Sequence, residues 1–403
     1  MEDLSVNRAA LQKPEMARMR ALTKSMGYDD EDIKRPRIGI HNTWSETCTG
    51  HYHLRQVAEA VRAGIWQAGG MPVEFGGWAQ CPIALGINGH RYDTPTRDII
   101  AADVEACSEL HMFDGLILLC SCDKNVPGHL VAAARLNIPT IIVLGGPMAN
   151  GRYQGKDVAI SDFDPISWAC EVAPETVDVS QLDEFMNSVC PGPGACQLLG
   201  TANTMQCLTE AVGLSLPGSS TRVALTAPAM WLAKEAGRKI VDLVEKGLRV
   251  TDIVTPKSIE NMIRVMHAIG GGTNAIVHIL AFVEEFGWGD KIDLKLIEEL
   301  SKTTPCITAV KPSGPYHMSD LDEAGGIQAV MKQLGDRIYQ DVLTVNGKTV
   351  GENLKAAKVR RPEVIRTPED PVFREGLCVL HGNLAESAVV RPTVVAKEVQ
   401  HII

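Results

Sequence analysis

The sequence predicts an α/β protein, a three-layer α/β/α domain around a largely parallel sheet, followed by the opening of a β-rich, barrel-like second domain. Three observations predict it. Apolar runs of strand length, Arg37 to Ile40, Met71 to Phe75, Gly115 to Cys120 and Ile138 to Leu144, alternate with stretches of helical periodicity, the pattern of βαβ units. Reactive side chains gather just after one of these strands, at Ser121-Cys122-Asp123-Lys124, where ligands of open α/β sheets bind. From Leu343 the character changes to short β-type pieces, and a basic, helix-poor stretch from Asn353 to Pro362 reads as a linker. The expected domains are therefore residues 1–355 and 356–403.

In chain order, the Met-rich start, with Met16, Met19 and Met26, is expected to wrap a neighbouring surface. The first strand, Arg37 to Ile40, leads into a polar turn from His41 to His53. Leu54, Val57, Ala58, Val61 and Ile65 then fall on one helical face, which ends at Gly69-Gly70. Met71 to Phe75 is the next strand. The segment from Gly76 to Thr96, holding Cys81-Pro82, Gly86 and Gly89, reads as a loop before a helix from Arg97 to Leu110. The central unit is the strand from Gly115, a helical run through Ala132-Ala133-Ala134-Arg135, and the strand closed by Gly145-Gly146-Pro147.

Asn150 to Ser161 is a polar excursion, and Pro165 to Asn187 is predicted to be helical. Cys190-Pro191-Gly192-Pro193-Gly194-Ala195-Cys196 is too rich in Pro and Gly for regular structure. It leads to Gly200 to Met205, a loop closing onto a helix start near Thr204. Helices are predicted at Ala229 to Lys246, Ser258 to Ala268 and Asn274 to Glu285, the last behind a glycine-rich entry, Gly270 to Asn274. Short strands are predicted at Leu343 to Val345, Leu377 to Leu380 and Ala388 to Val395.

Composition narrows the function classes. With 403 residues, 45% hydrophobic and 22% charged, the chain has the makeup of a globular protein of two or three domains. A formal net charge of -10 argues against a nucleic-acid partner. No apolar run reaches the roughly 18 residues of a membrane span, and Met1-Glu2-Asp3-Leu4 lacks a signal core, so a cytoplasmic location is expected. Eleven cysteines, an odd number at irregular spacing, do not form a disulfide framework.

Cysteine suits soft iron or zinc and aspartate a hard cation, and a cation would hold both deprotonated; the run Cys122-Asp123-Lys124 therefore points to metal chemistry. The alternative is a buried structural cysteine beside a surface ion pair.

Cys122 to Ala132 resembles the signature of the dihydroxy-acid dehydratase and phosphogluconate dehydratase family. Other stretches resemble it in the same order: Asn42 to Glu46, His53-Leu54-Arg55, Gly145 to Met148, Gly200 to Met205, Leu214 to Gly218, Gly270 to Ala275, Lys311 to Gly314, Glu323 to Gly326 and Gly382 to Ala385. The resemblance implies dehydration of a 2,3-dihydroxy acid, a sugar acid or a branched-chain acid, to a 2-keto acid. It implies an iron-sulfur cluster as Lewis acid, a divalent cation such as magnesium, and a homodimer. Carried over by position, Cys122 and Cys196 are cluster ligands, with Cys190 as rival to the latter. Asp123 is a magnesium ligand, and Lys124 matches a lysine that some members carbamylate into a carboxylate-like ligand. His53 is a candidate substrate contact, or a structural histidine at a helix start.

The departures concern two loops. Where two-iron members place a cysteine, this chain has Gly50, with Cys48 two residues earlier. Where they place an acidic magnesium ligand, it has Cys81. The phosphogluconate dehydratase branch resembles this chain in having its cysteine in the second loop, and in the run His111 to Gly115. The expected set is Cys81, Cys122 and Cys196 around a four-iron cluster, with Cys48 in place of Cys81 as the alternative and a two-iron cluster possible. Family members continue past the position of Ile403, and the glutamate and serine of that region are not found. A shortened C-terminus is thus expected, and a catalytically silent member that keeps the fold is the second reading. Simple zinc binding is a weaker third. The remaining cysteines, Cys107, Cys120, Cys170, Cys207, Cys306 and Cys378, are expected to be packing residues.

Overall fold

The computed structural model describes residues 11–83 and 91–395; Gly86 and Gly89 of the second loop lie outside them. Its centre is a four-stranded parallel sheet of β1 (Arg37–Asn42), β2 (Met71–Gly76), β3 (Gly115–Cys120) and β4 (Thr140–Leu144), in the order β2-β1-β3-β4. Parallel sheets are covered by helices on both faces, so their inner strands are apolar without alternation. Every residue of β1, β3 and β4 is buried, whereas β2, at the edge, turns partly exposed after Met71 and Pro72. Ile40 lies between Glu74 and Ile117 in the register. The chain goes from β1 outward to β2, then returns to place β3 on β1's other side. Strand order therefore reverses between β1 and β3, and that reversal opens a crevice at the strands' C-terminal ends.

Helices α1 (Leu54–Gln67), α2 (Pro95–His111) and α3 (Asn125–Leu136) follow the first three strands. The predicted face of α1 is the one it buries: Leu54, Val57, Ala58, Val61 and Ile65. α3 is buried from Asn125 to Ala134, enclosed by α2, α4 (Thr201–Ala211) and, further on, α6 (Asn274–Glu284). α5 (Ala227–Lys246) crosses α1 at two glycines. A Cβ on Gly64 would strike the Lys234 carbonyl, and one on Gly237 the Val61 carbonyl, so the two backbones touch without intervening side chains.

Two helical predictions change in detail. α4 begins at Thr201 rather than near Thr204, with Gly200 as its cap. The helix expected from Pro165 to Asn187 is two, Asp164–Val172 and Val179–Val189, because Pro174 cannot continue an α-helix. Asp178 starts the second by accepting from the Ser180 and Gln181 N–H groups. The polar excursion before them is a small hairpin, β5 (Gly151–Tyr153) and β6 (Lys156–Val158).

Toward the C-terminus, β7 (Cys378–His381) and β8 (Ser387–Val390) pair antiparallel. The last predicted strand ends at Val390 because Pro392, with no N–H to give, opens a 3-10 turn instead. Val364, Ile365 and Leu377 join the main hydrophobic core. His267 pins the approach to β7: its Nε2 donates to the Ile297 carbonyl (3.0 Å), and its Nδ1 accepts the Leu377 N–H (3.2 Å).

Two outcomes follow. Gly237→Val forces two backbones apart and is expected to destabilise the chain by about 3 kcal/mol, read as a lower urea midpoint. Burial lowers the His267 pKa from 6.5 to about 4. A histidine held neutral contributes stability above its unfolded pKa, and this is lost as pH falls through the folded one. Melting temperature should therefore fall between pH 6.5 and 4, and His267→Gln should make that fall shallower; an unchanged slope would reject the assignment.

Candidate functional site

The crevice between β1 and β3 is walled by the loops that leave the strands, and main-chain bonds stitch those loops together. Gly194 N–H donates to the Thr49 carbonyl (3.1 Å) and Ala195 N–H to the Gly146 carbonyl (2.9 Å). Asn125 Nδ2, at the start of α3, donates to the Trp78 carbonyl (2.6 Å) in the loop after β2. Loops leaving four strands, and the Pro/Gly-rich segment before α4, are thus drawn over one mouth.

Three cysteines meet there. Cys48, Cys81 and Cys122, from the loops after β1, β2 and β3, form one buried cluster, and none is in a disulfide. The Cys48 and Cys122 sulfurs are 3.7 Å apart. The two cysteines that the sequence offers as alternatives, Cys48 and Cys81, therefore both hydrogen-bond with Cys122 in one cluster. Gly50 makes room for them, since a Cβ at that position would overlap the Cys122 sulfur. The hydrogen bonds of Cys122 to Cys48 and Cys81 push its pKa well up, and burial adds to this. Three sulfurs in a dry site cannot all ionise alone; a cation would remove that penalty. Cys196 lies near enough to Cys81 and Asp123 for both to act on it: its pKa is pushed up to about 12 by burial first, then by those neighbours and Cys190. Cys190 itself is exposed.

Beside the sulfurs is a polar pocket. Asp123 is half-buried; burial raises its pKa, opposed by Lys124 and by the Ala202 N–H at the start of α4, while Asp93 raises it further. Lys124 is 2% exposed, with Nζ 3.3 Å from Asp93 Oδ2 and 3.4 Å from His278 Nε2 on α6. Burial, with Lys124 and Arg97 nearby, lowers the His278 pKa to about 3, so its ring is neutral and accepts from the amine. Gln80, also buried, donates to Asp93 Oδ1 at 3.4 Å. Three buried polar atoms at this place have no protein partner: Gln80 Oε1, Asn125 Oδ1 and His278 Nδ1. Buried polar atoms are costly to leave unpaired, so the pocket has the character of a site that takes a polar occupant.

His53 stands at the start of α1 and its Nε2 donates to the Gly145 carbonyl (2.9 Å). Burial lowers its pKa, and its buried Nδ1 has no protein partner. His51, two residues before, bridges Thr43 and the Cys122 N–H.

Sequence reasoning missed Asp93, His278 and His51. Asp93 precedes Thr94-Pro95 and looks like helix-start chemistry. His278 lies on an apolar helix, and only the fold turns it toward Lys124. His51 carries a signal in its place within Gly50-His51-Tyr52-His53, next to the histidine that matches the family motif. Of the cysteines expected to be packing residues, Cys120, Cys207 and Cys306 are buried and Cys107 and Cys378 are half-buried. Cys170 is exposed, because the helix that carries it lies on the surface.

The sequence profile described as dihydroxy-acid/6-phosphogluconate dehydratase N-terminal matches residues 35–353. Proteins named dihydroxy-acid dehydratase from Acetivibrio thermocellus and Ignicoccus hospitalis are each 45% identical to this chain, over 95% and 96% of it and 70% of their own lengths. One of that name from Methanothrix thermoacetophila is 46% identical over 96% of the chain and 70% of its own length. The chain, with its strand-end crevice and the loops that close on it, belongs to the dihydroxy-acid/6-phosphogluconate dehydratase family.

Proposed function

We propose that the chain is a hydro-lyase that removes water from a 2,3-dihydroxy carboxylic acid, giving a 2-keto acid. The observation that carries this reading is the meeting of Cys48, Cys81 and Cys122 beside the pocket of Asp93, Asp123 and Lys124, in a chain about 45% identical to proteins named dihydroxy-acid dehydratase. An iron-sulfur cluster would be held by Cys81 and Cys122 with Cys196, and Cys48 would join or replace one of them. A divalent cation such as Mg2+ would be held by Asp123 and Lys124, the latter as a carbamate, with Asp93 supplying the acid that the second loop lacks at position 81. Bound there, the cluster would supply Lewis acidity to the departing C3 hydroxyl and the cation would bind carboxylate and C2 oxygens.

The chain's own residues do the rest. Burial raises the Asp123 pKa, and Lys124 first and then the Ala202 N–H at the start of α4 oppose that rise. His278, neutral, holds the Lys124 side chain in place. His53 fixes the Gly145-Gly146 turn through Nε2, which leaves its buried Nδ1 as an acceptor. The C2 proton and the C3 hydroxyl leave as water, and the enol becomes the keto acid. We further propose a cytoplasmic homodimer acting on a free small molecule; no helix among the described residues is long and apolar enough to cross a membrane.

Anaerobic reconstitution tests this. Iron, sulfide and keto acid formed from a branched 2,3-dihydroxy acid or an aldonate should appear together, and a folded protein that takes up no iron would end the proposal. Cys122→Ser and Cys196→Ser should each lower iron per chain at least tenfold, the scale on which even outer partners of a metal act, while Cys190→Ser should not. Gly50→Ala, which pushes on the Cys122 sulfur, should lower iron loading with little change in the melting temperature of the metal-free chain.

A further inference from the structure

His51 has a ring nitrogen within 4.8 Å of the Cys48 and Cys122 sulfurs, a spacing that a single metal ion would accept. Its hydrogen bonds argue for another role. Nδ1 faces the Thr43 carbonyl (2.9 Å) and the Thr43 hydroxyl (2.7 Å). The hydroxyl's own proton goes to the Leu119 carbonyl (2.7 Å), so Thr43 offers only acceptors to the ring, and Nδ1 carries the hydrogen. Nε2 is then the lone pair, and it accepts the Cys122 N–H at 2.9 Å. Both nitrogens are used. Turning the ring to a metal would leave the buried Cys122 N–H unpaired, at the full desolvation cost of that group.

We infer that His51 is a positioning residue, not a ligand: it ties the Cys122 main chain to the ends of β1 and β3 and keeps the Cys122 N–H away from the sulfur. The ring is wholly buried, so this bond is not shared with water. Hydrogen bonds to ligand sulfurs are one of the levers on cluster potential. An N–H that points at an imidazole cannot reach a thiolate, so His51 sets the electron richness of that sulfur without touching the metal. The inference rests on the reading of the cysteines as a metal centre, and the experiment separates the two.

The full chain, reduced and free of iron, is titrated anaerobically with Co2+ and followed by the thiolate-to-cobalt absorbance and the visible ligand-field bands. The wild type, His51→Gln and His51→Ala are compared. The Gln oxygen can accept the Cys122 N–H, so His51→Gln should keep the wild-type bands and affinity, whereas His51→Ala should weaken Co2+ binding at least tenfold. In iron-loaded protein, His51→Ala should also move the reduction potential upward, and His51→Gln should leave it near the wild-type value. Ligand-field bands that shift in His51→Gln as a nitrogen is lost would overturn the inference in favour of ligation. Equal binding and potential in all three proteins would overturn it in favour of simple packing. A wild type that gives no thiolate-to-cobalt absorbance would instead remove the metal centre itself, and the inference with it. Should His51→Ala fail to fold, Thr43→Val, which removes one of the ring's two anchors, replaces it and should weaken Co2+ binding in the same direction.

Discussion

Sulfur atoms that share a space without water face a constraint that carbon does not. Each thiol can be neutral at the cost of a weak hydrogen bond, but together they cannot become anions unless positive charge is brought in. Cys48, Cys81 and Cys122 are in that position, and the pKa of Cys122 rises chiefly because its neighbours are thiols, with burial second. The adjoining pocket has the opposite composition, with Asp93 and Asp123 around the buried amine of Lys124. Soft and hard donors thus stand next to each other in one crevice. That division matches the proposed chemistry, in which thiolates would hold an iron-sulfur cluster and oxygen ligands a hard cation.

The position of the crevice follows from the order of the strands. With β2 on one side of β1 and β3 on the other, the loops leaving β1 and β3 diverge and leave a gap above their ends. The protein fills it with main-chain contacts between loops, such as Gly194 to Thr49 and Asn125 to Trp78, rather than with apolar packing. Glycine is required where the approach is closest. Gly194, at φ 142°, lies so near Met148 that a side chain would strike its backbone nitrogen, and Gly50 lies against the Cys122 sulfur. Backbone conformation and close approach, and not side-chain chemistry, decide those two positions.

Much of the fold was legible because the central strands are apolar along their whole length and α1 shows its buried face at regular spacing. Three boundaries differ because of one residue each, Pro174 splitting a helix, Pro392 ending a strand and Gly200 capping α4, and the strand predicted at Leu343 to Val345 is a single bridge from Leu343 to Thr349. The site was legible where its residues are contiguous, at Cys122-Asp123-Lys124, and in part where a motif could be matched. Whether Cys48 or Cys81 belongs to it was not, since the choice depends on how two loops of irregular structure lie over each other. Asp93 and His278 stayed hidden for the same reason: each becomes meaningful only through its distance to Lys124, and no spacing along the chain encodes that distance.

The sulfurs are spread along the first half of the chain, one per loop, with complete strands and helices between them. No short peptide from this protein carries more than a fraction of the donor set, unlike modules in which neighbouring cysteines grip an ion before anything else forms. The cysteines therefore come together only when the sheet and its loops are formed, and a proposed cluster would be loaded into an already assembled body. In the proposed centre, occupancy would then depend on access through the mouth, and until it is filled the thiols would be guarded by burial alone.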